Sequence, residues 1–172
     1  MPHTTRRAGA LRNEFAPLLR DMLRAAREFY GPRLISLVVF GSVGRGDPHA
    51  ESDVDILIVA DGLPNGRMRR VEEFRPVRKA LAPRLEEGRR AGFPTECSPV
   101  FKTRNEVLAG SPLLLDMVDD AKILYDRDGF FAEALDRLRQ RLAGLGARRI
   151  WRGNAWLWDL KPDYRPGDVF EL

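Results

Sequence analysis

The chain has few of the features that mark a disulfide framework, a membrane span or a secretory leader. Its 172 residues include a single cysteine, Cys97, which excludes an internal disulfide and agrees with a reducing compartment. No apolar run approaches the ~20 residues that a membrane-spanning helix needs. The N-terminal residues are basic and lack the apolar core of a signal peptide. We therefore expect a cytoplasmic protein that makes no use of a membrane.

Several common motifs for nucleotide, metal and thiol chemistry are also missing. Segment 41–47, GSVGRGD, lacks the Gly-Lys-Ser/Thr ending of a P-loop, and its glycine spacing does not fit a Rossmann fingerprint. His49 has no partner at metal-ligand spacing. No Cys-His arrangement is present to activate the Cys97 thiol. The chemistry must therefore come from other residue types.

The composition is typical of one globular domain. Hydrophobic residues make up 44% of the chain and charged residues 31%. No repeat or low-complexity linker divides it, so we expect a single domain over residues 1–172. The net charge is +4, mostly from arginine. These arginines could attract a nucleotide or nucleic acid, or they could form solvated helix faces, and the sequence leaves both interpretations open.

Hydrophobic periodicity predicts alternating helices and strands. Helices are predicted at 13–30, with Pro17 in the first turn, at 68–90, kinked or split by Pro76 and Pro83, at 108–118 and at 130–142. Strands are predicted at 34–40, 52–59, 94–102 and 122–125. The tail, 151–172, is rich in aromatic residues and is predicted to be extended. Such a tail is too apolar to remain in solvent, so we expect it to pack on the domain or on a partner.

Segment 38–59, VVFGSVGRGDPHAESDVDILIV, carries the strongest functional signal. Asp53 and Asp55 lie at the start of the second predicted strand, and their side chains share one face because side chains alternate along a strand. Two carboxylates that close repel each other unless a cation lies between them, and Mg²⁺ or Mn²⁺ suits such oxygen ligands. Gly41 and Ser42 end the first strand with small residues and backbone donors that suit a phosphate. Together they predict a nucleoside triphosphate site.

This arrangement resembles the nucleotidyltransferase superfamily of DNA polymerase beta, in particular its minimal and kanamycin-nucleotidyltransferase-like members. The shared motif is Gly41-Ser42, followed eleven positions after the serine by Asp53-Val54-Asp55. The resemblance implies an α+β (α/β) fold, with a small mixed β-sheet flanked by helices. It also implies transfer of a nucleoside monophosphate, with AMP from ATP as the default, to an acceptor hydroxyl and release of pyrophosphate. Two Mg²⁺ or Mn²⁺ ions would assist when substrate is bound.

Further site residues follow from this resemblance. Two metal ions usually need three carboxylates, and Glu96 is the only acid in the third predicted strand. We expect Glu96 to be a metal ligand with Asp53 and Asp55, or the general base for the acceptor hydroxyl. Ser42 and the backbone from Gly41 to Gly44 are expected to bind the triphosphate, and Arg45 could reach the same phosphates.

Other functions share parts of this pattern. Haloacid-dehalogenase-type phosphatases also use Asp-x-Asp, but after a hydrophobic strand, whereas here the run ILIV follows the pair. Glycosyltransferases with Asp-x-Asp normally need a longer chain. A different alternative is an antitoxin-type module that binds or AMPylates a helical partner protein, and a homodimer is also compatible. The sequence does not identify the acceptor.

Overall fold

Four strands form a mixed sheet that is covered by helices on both faces. The computed structural model describes residues 3–47, 53–92, 96–152, 155–165 and 168–169. Its helices are α1 (His3–Tyr30), α2 (Gly41–Arg45), α3 (Arg67–Glu73), α4 (Arg75–Arg90), α5 (Arg104–Leu108), α6 (Pro112–Leu115) and α7 (Phe130–Gly144). Its strands are β1 (Leu34–Phe40), β2 (Val54–Ala60), β3 (Cys97–Lys102), β4 (Lys122–Asp126), β5 (Arg148–Arg152) and β6 (Ala155–Asp159).

The sheet has the strand order β3-β2-β1-β4. Strand β1 is antiparallel to both of its neighbours, β2 and β4, whereas β2 and β3 are parallel. All seven residues of β1 are buried, because the strand is central and both faces of the sheet are covered. The predicted α+β fold, a small mixed sheet flanked by helices, is confirmed.

Each face of the sheet has its own hydrophobic core. On one face α1 and α4 pack through residues such as Met22, Val77 and Leu81, which form the α1-side core. On the other face α5, α6 and α7 pack through residues such as Leu114 and Phe131, which form the α7-side core. Because the side chains of β2 alternate, Val54 enters the first core and Leu57 enters the second. The face that Asp55 shares with Leu57 is therefore the α7 side.

Two of the predicted helices differ in the structure, and a third is split as predicted. Helix α1 begins at His3 instead of residue 13, so Pro17 lies inside the helix and not in its first turn. The region 68–90 is split at Phe74, as its prolines predict, and Pro76 opens α4. The predicted helix 108–118 is wrong, since Gly110 has φ +81° and Ser111 caps a new short helix, α6. A positive φ interrupts a right-handed helix, which explains the break.

The C-terminal part of the described chain adds a hairpin that is not part of the main sheet. Strands β5 and β6 pair with each other, and Trp158 and Leu160 are partly buried against the α7-side core. Trp151 stays 57% exposed, with Arg149 over its ring. None of the helices in the described part of the chain is both long and apolar enough to cross a membrane.

Arg70 fastens α3 to the free edge of β3. Its guanidinium donates two parallel hydrogen bonds to Glu106, at 2.8 and 2.9 Å, and a third to the carbonyl oxygen of Phe101. Glu106 also accepts from the backbone N–H of Thr103, within the capping box of α5. The Arg70 hydrogen bond, with help from the Thr103 donor, lowers the pKa of Glu106 to about 2 although burial opposes it. A depressed carboxylate pKa means that ionised Glu106 stabilises the fold.

Replacing Glu106 with Gln should therefore destabilise the protein mainly at neutral pH. The wild-type advantage is complete above the ordinary Glu pKa of about 4.3 and is lost as the pH falls toward the folded-state pKa of about 2. We expect a loss of about 1 kcal/mol at pH 7, since solvent screens this partly exposed group, and a smaller loss at pH 3. Urea unfolding at the two pH values measures it. An equal loss at both would contradict this role of the Arg70–Glu106 pair.

Candidate active site

Helix α2 is a single turn that begins where β1 ends. Gly41 opens it with φ +66° and Gly46 closes it in the left-handed region with φ 74°. A Cβ added to Gly41 would lie 2.2 Å from Oδ2 of Asp55, so the turn and this carboxylate are in direct contact. Only glycine fits there, for both conformational and steric reasons. The predicted phosphate-binding turn and the predicted acid pair thus form one structural unit.

The two aspartates of the motif lie at the start of β2. Asp55 pairs in register with Phe40 of β1 and is half-buried, whereas Asp53 precedes the strand and is exposed. Burial raises the pKa of Asp55, the charge of Asp53 raises it further, and Arg45 acts in the opposite direction. A half-buried carboxylate beside a second one fits a divalent cation with oxygen ligands. The donor set therefore suits the predicted Mg²⁺ or Mn²⁺.

Glu96 lies beside this pair but does not join it. It directly precedes β3, and its carbonyl oxygen accepts a hydrogen bond from the N–H of Val54 at 2.9 Å. The parallel register therefore places it next to Asp53 across the two strands. Its side chain is exposed, and no three His, Cys, Asp or Glu side chains of the described ranges converge closely enough to hold a metal ion. The predicted convergence of three carboxylates is thus not observed, although Glu96 and Asp55 line the same cleft.

The other predicted phosphate-binding residues lie on α2. Ser42 is in its first turn, where backbone N–H groups have no intrahelical partner. Arg45 is exposed at its end. Gly44 has a packing role, since a Cβ there would lie 2.8 Å from the carbonyl oxygen of Val39 and 3.0 Å from that of Asp120. The rest of the loop, including Glu51 and Ser52, lies outside the described residues.

Sequence reasoning missed the support of α2 from the C-terminal hairpin. Arg149 of β5 is bound to the carboxylate of Asp120 at 2.5 Å, and the carbonyl of the same residue lies against Gly44. Arg149 also lies near Asp119, at 3.8 Å. Because about thirty residues separate Arg149 from these acids, no local sequence pattern predicts the contact. Through the contact of Arg149 with Asp120, the hairpin therefore supports the backbone against which Gly44 packs.

A cleft of about 440 Å³ runs along the free edge of β3. Its lining joins two acids already discussed, Asp55 and Glu96, to arginines from α3 and α4: Arg67, Arg75 and Arg78. Cys97 also lines it, and burial raises the pKa of this thiol to about 12, so it stays protonated. These acids and arginines thus line one cleft at the edge of the sheet, although the arginines belong to helices on the α1 side and the Asp55 side chain is on the α7 side.

Comparison with known proteins gives one matching family model, similar sequences and similar solved structures. The model of the nucleotidyltransferase domain family matches residues 19–100. A Methanocaldococcus jannaschii protein, assigned as a protein adenylyltransferase, is 32% identical over 124 residues, which cover 71% of this chain and 79% of that protein. A bifunctional uridylyltransferase/uridylyl-removing enzyme of Vibrio campbellii is 37% identical over 90 residues, 52% of this chain and 10% of that enzyme. Among solved structures, a toxin–antitoxin with AMP-PNP has a TM-score of 0.47 at 18% identity, covering 74% of this chain and 92% of that one.

Proposed function

Because the chain belongs to the nucleotidyltransferase family, we propose that it transfers AMP from ATP to a hydroxyl group of a protein and releases pyrophosphate. The observation that carries this proposal is the contact between the Gly41 turn and the Asp55 carboxylate. It brings a phosphate-binding backbone and a cation-binding acid together at the end of one strand pair. The adenylyltransferase name of the M. jannaschii relative supports both AMP and a protein acceptor.

The nucleotide half of the reaction uses β1 and α2. The backbone N–H groups at the start of α2 and the Ser42 hydroxyl donate hydrogen bonds to the triphosphate oxygens. Arg45 adds a positive charge within electrostatic reach of Asp55. Gly44 keeps the turn tight against the carbonyl of Val39. These groups position the triphosphate, which is the main contribution of a protein to this class of reaction.

Asp53 and Asp55 hold divalent cations in this proposal. Mg²⁺ bound there would neutralise the charge that builds up on the transferred phosphoryl group and on the leaving pyrophosphate. Without a cation the two carboxylates repel each other, and the burial of Asp55 increases the cost of its charge. Glu96 takes the remaining role and accepts the proton of the acceptor hydroxyl, since it lies next to Asp53 across the two strands and lines one cleft with Asp55.

Replacing Glu96 with Gln should reduce AMP transfer roughly tenfold, because a loose phosphoryl-transfer transition state needs only modest help with the proton. The amide keeps the shape of the side chain but cannot accept the proton. We therefore expect the transfer rate to fall while ATP affinity is unchanged. Single-turnover transfer assays and calorimetry measure the two quantities, and an unchanged transfer rate would rule out the base role.

Labelled ATP tests the proposed function directly. The full chain is incubated with Mg²⁺, cell lysate and ATP that carries ³²P at either the α- or the γ-phosphate. We expect label from the α-phosphate only, in material that protease digests, and none when EDTA removes the metal. If nuclease removes the label and protease does not, the acceptor is a nucleic acid and not a protein. No label with either ATP would contradict the proposal.

A further inference from the structure

The guanidinium groups of two arginines in the cleft along β3 have no ion-pair or hydrogen-bond partner among the described residues. Arg75 is bound to Glu72 at 2.8 Å, so these two charges offset each other. Arg67 and Arg78 also line the cleft and are exposed, but neither guanidinium group forms an ion pair or hydrogen bond with a residue in the described ranges. Exposed arginines are often merely solvated. These two differ because they share one cleft with Asp55.

The net charge of the cleft lining depends on whether Asp55 holds a cation, as it does in the proposed function. Its side chains include three arginines and three acids, namely Asp55, Glu72 and Glu96. Glu72 is offset by Arg75, and in the proposed function Asp55 is offset by the cation that it holds. Among the described lining residues, Glu96 is then the only acid left beside Arg67 and Arg78. In the active state the cleft is therefore electropositive and suits an anionic ligand.

The geometry of the transfer places the acceptor on this side of the acid pair. In a phosphoryl transfer the attacking and leaving oxygens lie roughly in line, on opposite sides of the phosphorus. The leaving pyrophosphate belongs to the Gly41–Ser42 turn, which follows β1. Because β2 lies between β1 and β3, an attacking oxygen opposite that turn lies toward β3. That side is the cleft with Glu96, Arg67 and Arg78.

The free edge of β3 is poorly suited to strand addition. Val54 donates to the carbonyl of Glu96, so in the parallel pairing the backbone groups of even-numbered β3 residues point toward β2 and those of Pro99 point outward. Pro99 has no N–H to offer a further strand, and the outward carbonyl of Phe101 is already bound by Arg70. This arrangement favours recognition of a ligand by side chains.

We propose that this cleft binds the acceptor, and that the acceptor is a polypeptide segment with carboxylates next to the hydroxyl that receives AMP. The proposal rests on the proposed function. The hydroxyl oxygen attacks the α-phosphorus, the bond from that phosphorus to the β-bridging oxygen breaks, and pyrophosphate leaves. The proton passes to Glu96, while Arg67 and Arg78 bind the flanking carboxylates.

A nucleic-acid acceptor fits the cleft less well. Single strands are usually held by bases stacked on exposed aromatic rings together with a positive track. Among the described lining residues the aromatic side chain is Phe74, which is only 2% exposed and packs edge-on against Phe101. The described lining of the cleft therefore offers positive charge to a ligand but no exposed aromatic ring on which a base could stack. Carboxylates on a peptide need only the charge.

The test uses the full chain and two fluorescein-labelled peptides, each a tyrosine flanked by four glutamates or by four glutamines. Fluorescence anisotropy with Mg²⁺ and a non-hydrolysable ATP analogue gives the affinities. We expect at least tenfold tighter binding of the glutamate peptide. The double variant Arg67→Ala/Arg78→Ala should lose this preference and keep its ATP affinity by calorimetry. The control Arg69→Ala/Lys79→Ala removes two exposed cations from the same helices, outside the cleft lining, and should keep the preference.

Several outcomes would overturn the inference. The preference could be absent, it could survive in the Arg67/Arg78 variant, or a single-stranded RNA could displace the glutamate peptide. A loss of ATP affinity in that variant would instead assign the two arginines to the triphosphate. Failure of the proposed function looks different, because the wild-type chain would then neither bind ATP nor label lysate protein. ATP binding and lysate labelling without the peptide preference would overturn this inference alone.

Discussion

Replacing Asp55 with Asn should reduce the rate of AMP transfer by about a thousandfold. This is the upper end of the rate loss seen when one preorganised electrostatic group is removed from an active site. The amide has the same shape but no negative charge to hold a divalent cation. The fold should survive, because Asp55 is half-buried beside Asp53 and its charge is unfavourable there without a cation. In EDTA the variant should therefore unfold at the wild-type temperature or slightly above it.

Mg²⁺ separates this explanation from simple misfolding. A ligand that binds only the folded state raises the unfolding temperature, so Mg²⁺ with an ATP analogue should stabilise the wild type and should not stabilise Asp55→Asn. The matched control is Asp61→Asn, the same change just beyond the opposite end of β2, where Asp61 lies near Arg104 at 3.5 Å. It should keep both the activity and the response to Mg²⁺. Equal stabilisation of Asp55→Asn would contradict the role of Asp55 as a metal ligand.

The proximity of the Gly41 turn to Asp55 could be predicted from the sequence because it is local. Gly41, Ser42 and the two aspartates lie at the facing ends of two adjacent antiparallel strands, and the period of two along β2 places both acids on one face. The long apolar run of β1 likewise predicts a strand covered on both faces. These features need no knowledge of distant contacts.

The features that the sequence did not predict depend on packing between distant segments. The sequence predicts a phosphate-binding role for Gly44 but not its packing against the carbonyl of Asp120, a residue whose carboxylate is bound by Arg149 of the C-terminal hairpin. The length of α1 was missed because Pro17 was assumed to be near its start, whereas the helix tolerates it as an interior residue. Glu96 was predicted from the resemblance, as the only acid in the third predicted strand, and strand register alone does not fix where its exposed side chain points.

Gly41→Ala should disable the enzyme without touching any charged group. The new Cβ would lie 2.2 Å from Oδ2 of Asp55, so the carboxylate must move. A displacement of about 1 Å in a site of this kind can cost about a hundredfold in rate, and we expect a loss of that size. The positive φ of residue 41 adds strain of about 1–2 kcal/mol to the folded state. Transfer assays together with urea unfolding measure the two effects separately.

Gly129→Ala isolates the steric contact from the strain. Gly129 has φ +68°, close to the +66° of Gly41, but nothing lies within 4 Å of a Cβ added there. Both variants should therefore lose similar stability, and only Gly41→Ala should lose activity. If Gly129→Ala lost as much activity, general destabilisation would account for both. If Gly41→Ala kept its activity at similar cost in stability, the Asp55 carboxylate would not need its position against the turn. The pair thus tests whether the glycine of the motif is required for the acid it touches, independently of any phosphate contact.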